Sequence, residues 1–254
     1  MAWPTLLTAE VRLEVAGSVT SSEEGLEVHV DLRNGGDSPA TSLDVEGELF
    51  GNQAHGQVAD GLAAGASGSV ALRFPSEVPQ PGVHALTLLL DYTGAGPSGP
   101  VSMSQRAYLL VALGGAAAPA LRLSAADVRM AWSGLLDVGV ESSDGAPHTV
   151  QLRVDGPRGF RADNPAHAID VPGRGRVDVP VRVFRGTVPW DSRQGVLVIA
   201  AATDGPFART TVATAVVQVV PDPAWSPRFR KPLALVAVIL LGLAALAEAR
   251  RWIA

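Results

Sequence analysis

The sequence predicts an all-β protein: two tandem β-sandwiches followed by one C-terminal transmembrane helix. Three observations predict it. Aliphatic and polar residues alternate along many short segments, the period-two pattern of a half-buried strand. The pattern recurs at a spacing of 108 to 110 residues. The third is Pro232 to Ala247, sixteen residues reading PLALVAVILLGLAALA without a charge.

The totals suit this architecture. Of 254 residues, about 220 precede the apolar run, enough for two cores. Glycine (27) and proline (19) are plentiful and aromatics few, a mix for short strands and turns rather than helical bundles. With no cysteine, no disulfide holds the fold and no thiolate serves as ligand or nucleophile.

In the first copy, residues 1–113, an opening strand is expected at Val11 to Val15. Leu26, Val28, Val30 and Leu32 then alternate with Glu27, His29 and Asp31. Asn34-Gly35-Gly36 turns the chain, and Leu43, Val45, Gly47 and Leu49 resume the alternation. A loop through His55 and Asp60 follows, then a strand at Ser67 to Phe74, a turn at Pro79-Gln80-Pro81-Gly82, and strands at Val83 to Tyr92 and Ser104 to Leu113. Short strands at this spacing suit a sandwich of about seven strands. Residues 114–119 (GGAAAP) read as a short hinge-like linker.

The second copy, residues 120–220, repeats the plan. Strands are expected at Leu121 to Met130, Leu135 to Val140, Thr149 to Val154, Val177 to Phe184, Gly195 to Thr203 and Thr210 to Val220. The nearly continuous apolar run Val196 to Ala202 reads as a central strand. Gly25 matches Gly134, Phe50 matches Phe160, Gly65 matches Gly173, and Val78-Pro79 matches Val188-Pro189. Four near-equal offsets in order indicate two copies of one unit.

A polar-out strand, an Asn-Gly turn, a second strand, then GLAAGASGSVALRF and PQPGVHALTLLLDY resemble the bacterial immunoglobulin-like modules of the CARDB and NEW3 type, relatives of fibronectin III sandwiches. The resemblance covers both copies and implies stalks, adhesion and accessory binding, with no catalytic residues to carry over. Two departures stand out. Ser142-Ser143-Asp144-Gly145 replaces the Asn-Gly-Gly turn in copy two, and His84 stands where such modules often place a corner tyrosine.

Residues 221–231 form a stalk stiffened by Pro221, Pro223 and Pro227. The apolar run carries Leu233, Leu235, Val236, Val238, Ile239, Leu240, Leu241, Leu243 and Leu246 all round a helix, leaving no polar stripe for water, which favours a membrane span over a buried helix. Sixteen helical residues cover about 24 Å, short of the ~30 Å hydrocarbon core. Extension to residues 232–249 and the flanks supply the difference. Trp225, Arg228, Phe229, Arg230 and Lys231 precede the run, and Arg250, Arg251 and Trp252 in the basic tail, 250–254, follow it, the dressing of headgroup depth.

Three basic residues before the span and two after it point toward a cytoplasmic N-terminal side. MAWPTLLTAEVRLEV, as written, has neither a basic nor an apolar leader region. Sandwiches ahead of one C-terminal helix are more familiar on exported proteins. The extracytoplasmic face is therefore the expectation for the sandwiches, with a cytoplasmic tail-anchored topology as the alternative.

Charge is unevenly placed. Residues 1–113 hold four basic and thirteen acidic groups, and residues 121–220 eleven and ten. The acidic half is either solubilising or a docking face for a basic partner. Nothing resembles a nucleic-acid stripe of basic residues with interleaved aromatics. In copy two, Arg158, Arg161, Arg174 and Arg176 are candidates for contact with an anionic partner: lipid headgroup, glycan or an acidic domain.

No chemistry is legible. His29, His55, His84, His148 and His167 lie more than four residues apart, His55 and His148 in expected loops, and Asp144, Asp155 and Asp163 are too spread for a calcium loop. There is no Gly-x-Ser-x-Gly elbow, and Gly173-Arg174-Gly175 reads as a turn rather than a phosphate loop. Neither catalysis nor a cofactor is expected. The expectation is a single-pass accessory or scaffolding protein of a membrane or envelope assembly, bound to the bilayer by its helix and to other proteins by its sandwiches. A glycan-binding or adhesive module is the alternative, with Trp132, Trp190 and Tyr92 as its candidate aromatics.

Overall fold

The computed structural model describes residues 11–22, 25–75, 80–96, 99–114 and 119–221. The expected span, its flanks, most of the stalk and most of the linker lie outside the described residues. Among those described, the chain is all β, with no helix long and apolar enough to cross a membrane.

The first copy folds as two sheets. β1 (Leu13–Ser22), β2 (Gly25–Asn34) and β5 (Ser67–Phe74) form one, in the order β1-β2-β5. β3 (Thr41–Leu49), β4 (Asn52–Val58), β6 (Gly82–Gly96) and β7 (Gly99–Leu113) form the other, with β3 between β4 and β6, and β7 on β6. Alternation explains what lies between them. Val28, Val30 and Leu32, Leu43 and Val45, Leu72 and Phe74, and Leu86, Leu88 and Leu90 all project inward into one core. Gly47 takes an inward position because a Cβ there would lie 2.7 Å from Leu72 Cδ1.

The second copy repeats the arrangement. β8 (Leu121–Ala125), β10 (Ser133–Ser142), β12 (Arg161–Asp163) and β14 (Arg176–Phe184) form one sheet, ordered β12-β14-β10-β8. β11 (His148–Asp155), β13 (Ile169–Val171), β15 (Arg193–Ala202) and β16 (Ala208–Val219) run β13-β11-β15-β16, with β9 (Val128–Met130) parallel to β16. Leu136, Val138, Val140, Val150, Leu152, Val181, Val183, Val196 and Val198 fill a second core. β2, β3, β5, β6 and β7 hold the same topological places as β10, β11, β14, β15 and β16, so the sequence repeat has a structural counterpart. This is the strand order of an immunoglobulin-like sandwich.

Several strand expectations are corrected. The loop through His55 is the strand β4, paired along its length with β3. Leu121 to Met130 is two strands in different sheets, because the chain crosses the sandwich at Ala126 and Asp127, where Asp127 accepts from the Val216 amide at 2.8 Å. β12 and β13 are additional short strands, and β1 runs on to Ser22.

The two copies are joined by more than the linker. Ala208 and Arg209 of β16 pair in parallel with Gly82 and Val83 of β6, and the Ala208 amide donates to Pro81 O at 2.7 Å. Gly82 has φ +133°, and a Cβ there would stand 2.1 Å from Ala208 O, so this crossing requires glycine. The described residues up to Val219 form one compact unit.

Candidate functional site

Leu89, Leu197 and Ile199 are buried yet belong to neither core. Leu89 alternates with the core residues Leu88 and Leu90, and Leu197 and Ile199 with Val196, Val198 and Ala200, so all three point out of their own sandwiches. Cross-strand partners share a face. Leu89 therefore stands beside Arg106, and Asp91 beside Ser104; Ile199 stands beside Arg153, and Leu197 beside Asp155. The outward faces of β6 and β15 are buried between the two copies.

A polar rim closes this apolar strip. Arg153 donates to both Glu48 carboxylate oxygens, at 2.7 and 3.0 Å, and through Nε to Asp155 at 2.8 Å. The Arg153 bond holds the Glu48 carboxyl below its ordinary range despite burial, and the same pair raises the guanidinium. Arg158 reaches Asp91 at 2.7 Å, its amide donates to Ser104 Oγ at 2.9 Å, and Arg106 donates to Gly156 O at 2.8 Å. Within the strip the Thr87 hydroxyl is buried without a hydrogen-bond partner.

At the end of the second sandwich where residues 119 and 120 enter, His148 begins β11 and is buried. Its Nδ1 lies 2.8 Å from Asp204 and its Nε2 2.8 Å from Asp144, whose other oxygen accepts from Arg209 at 3.0 Å. Burial opposes protonation of the ring, but the bonds and charges of the two carboxylates outweigh it, so the His148 pKa is raised. Asp144 is held far below the carboxylate range, chiefly by the His148 bond. Burial raises Asp204, yet its His148 bond leaves it lowered overall. Because each ring nitrogen already faces a carboxylate, this is a structural knot between loops. Among the described residues no group of three or more His, Cys, Asp or Glu could hold a metal ion.

The knot lies beside the junction, where Gln80 donates to Gly205 O at 2.8 Å. Two further polar ties fix loops of the first sandwich. Asn34, fully buried, donates to Ser38 O at 2.8 Å and Leu62 O at 3.2 Å and accepts from the Gly36 amide. His84 lies 2.8 Å from Gln80 O and edge-on to Phe50, a corner tie of the kind a tyrosine makes in such sandwiches. Burial lowers its pKa.

The four candidate arginines do not converge. Arg158 is engaged by Asp91 and by Glu46 at 3.9 Å, so its acidic partner is the first sandwich itself. Arg161 pairs with Asp163 at 3.7 Å and lies over the Phe184 ring. Arg176 pairs with Asp178, and Arg174 is exposed in the turn before it. Arg176 and Phe184 bracket β14, about 26 Å apart by strand rise, so Arg161 and Arg174 occupy opposite ends of the sandwich. Of the three candidate aromatics, Tyr92 is buried in the first core, whereas Trp132 and Trp190 are exposed and meet edge to face with centroids 4.9 Å apart.

No protein-family model matches the chain, and no curated protein does. Among solved structures, the native conformation of E. coli alpha-2-macroglobulin aligns with 82% of this chain at 11% identity and a TM-score of 0.31; the chain spans 17% of that protein's length. A Porphyromonas gingivalis W83 protein of unknown function aligns over 82% of this chain and 99% of its own, at 12% identity and TM-score 0.32. CBD12 from CALX1.2 aligns over 76% and 93%, at 8% identity and TM-score 0.27. Likenesses this weak carry no argument about activity or partners, and the fold rests on the strand order itself.

Proposed function

We propose that the chain is a non-catalytic, single-pass membrane protein that presents two immunoglobulin-like sandwiches, read as modules of the CARDB or NEW3 type, as one rigid accessory or scaffolding unit. The observation that carries the reading is the apolar strip of Leu89, Leu197 and Ile199 closed by the Arg153–Glu48 and Arg158–Asp91 pairs. Such a strip makes the two copies one body rather than beads on a hinge, as a scaffold requires. The uncharged run 232–247 with its basic and aromatic flanks supports a bilayer anchor. Partners are other membrane or envelope proteins. A glycan-binding surface is the second reading, favoured by the exposed Trp132 and Trp190.

Protease treatment of intact cells carrying an N-terminal tag, with lysed cells as control, assigns the side. Cleavage before lysis places the sandwiches outside and directs crosslinking toward envelope proteins. Protection until lysis makes the protein a cytoplasmic tail-anchored scaffold. Crosslinking of the full chain in its membrane that yields no protein adduct on either side contradicts the scaffold reading.

A further inference from the structure

One end of the second sandwich carries an aromatic and basic tip whose members pack on one another and remain exposed to water. Trp132, in the turn before β10, is 57% exposed, and Trp190, in the loop before β15, is 36% exposed. Arg185 stacks over both rings, its Cζ 3.6 Å from the Trp190 centroid and 5.3 Å from that of Trp132. The loop is held firmly. The Arg185 amide donates to Trp132 O at 2.9 Å, the Val188 amide to Arg185 O at 3.1 Å, and Val188 is buried in the core beneath. A loop so held that leaves Trp132 more than half exposed and Trp190 about a third exposed forgoes part of the burial these side chains ordinarily gain. Exposed Arg129, Arg161 and Arg193 stand at the same end, against Asp163 and Asp191.

The chain leaves the sandwich at this end. The Val219 amide donates to Ser192 O at 2.9 Å, and Val219 pairs with Met130, two residues before Trp132. Eleven residues, 221–231, then separate it from the apolar run. His148 and the junction with the first sandwich lie at the other end.

We infer that this tip is a second membrane contact: Trp132, Trp190 and Arg185, with Arg129, Arg161 and Arg193, seat the second sandwich on the headgroup layer of an anionic bilayer. The inference rests on the reading of residues 232–249 as an anchor. Tryptophan favours headgroup depth, where its ring is half-apolar and its N–H finds acceptors, and arginine supplies charge for lipid phosphates. A sugar platform is the poorer fit. Carbohydrate stacks on an open ring face, and Arg185 already occupies one face of Trp190 while the two rings meet edge to face.

Because the chain has no cysteine, single cysteines report one position each. The full chain carrying Ser133→Cys beside Trp132, or Ala146→Cys at the opposite end as control, is labelled with bimane. It is reconstituted into phosphatidylcholine–phosphatidylglycerol vesicles containing brominated lipid and recovered by flotation. Quenching is read as the ratio of emission in vesicles without and with brominated lipid, which cancels contact quenching of bimane by the neighbouring tryptophans. The expected result is strong quenching at 133 and none at 146, reduced by about tenfold in seated fraction when both tryptophans are replaced by alanine. Flotation with equal, weak quenching at both positions overturns the tip contact and leaves the anchor standing. A chain that fails to float overturns both. Weak quenching at 133 combined with a saturable response of the probe to maltohexaose assigns the aromatic pair to glycan and overturns the inference.

Discussion

Arg153 of β11 grips Glu48 of β3 through both terminal nitrogens, at 2.7 and 3.0 Å, so a strand of one sandwich holds a strand of the other. Both side chains remain partly exposed, and solvent screens the pair. A double-mutant cycle of Arg153→Ala and Glu48→Ala, read by denaturant unfolding of the detergent-solubilised chain, is expected to give a coupling of about 1 kcal/mol. Additive effects would show that the clamp does not hold the copies together.

Beneath the clamp, the buried Thr87 hydroxyl forms no hydrogen bond. Replacing it by the near-isosteric valine removes that unmet group without changing the packing, and Thr87→Val is expected to raise stability by about 1 kcal/mol. Leu89→Asp, which puts a charge in the same strip, is expected to lower it by about 3 kcal/mol or more and to open the inter-copy face to limited proteolysis. Thermal melts and digestion of the two variants together check the sign at each position.

His148 gives the second sandwich a pH dependence with a defined sign. Its folded pKa is raised, so its contribution is fully present below the unfolded value of about 6.5 and is lost as pH rises through the folded value. Asp144 and Asp204 are lowered, so theirs is present above about 3.9 and is lost as pH falls through their folded values. His84 is lowered and acts with the opposite sign to His148. The difference in Tm between wild type and His148→Gln is therefore expected to be largest between pH about 4 and about 6.5 and to shrink toward pH 9. A difference that grows with pH would contradict the knot.

Asn34 holds two carbonyls and one amide of the first sandwich's loops from a fully buried position. Asn34→Ala is expected to cost about 2–3 kcal/mol, measured by denaturant unfolding, because it strands Ser38 O and Leu62 O away from water. A loss below about 0.5 kcal/mol would mean that water replaces the side chain.

The fold was legible where period two was strong, but the repeat located equivalent strands without fixing their register. Matching Gly25 to Gly134 sets buried Leu26 on Leu135, which is 57% exposed, whereas the inward residues Leu26, Val28 and Val30 of β2 correspond to Leu136, Val138 and Val140 of β10, one residue further on. β4 was hidden because its inward residues, Ala54, Gly56 and Val58, are small and one has no side chain at all. Gly56 is needed there, since a Cβ would meet Val70 at 2.2 Å. The buried strip between the copies did leave a signal: LTLLL at 86–90 and VLVIAAA at 196–202 are apolar on both faces, the mark of a strand covered on both sides. Only the second was read so, and as a central strand. Nothing local could pair His148 with Asp204 across 56 residues, or send Arg158 to Asp91 across 67. The arginines looked clustered because adjacent segments seem close in sequence, whereas β14 carries its two ends to opposite poles of the sandwich.

The anchor is tested most directly by alkaline carbonate extraction of membranes holding the full chain, alongside an Ile239→Asp/Leu240→Arg variant. Each charge at the centre of a span opposes insertion by about 3 kcal/mol. The expected result is wild-type protein in the membrane pellet and the doubly charged variant in the supernatant, still folded as judged by its thermal melt. Wild-type protein released by carbonate, or both forms retained alike, would contradict a single span at residues 232–249.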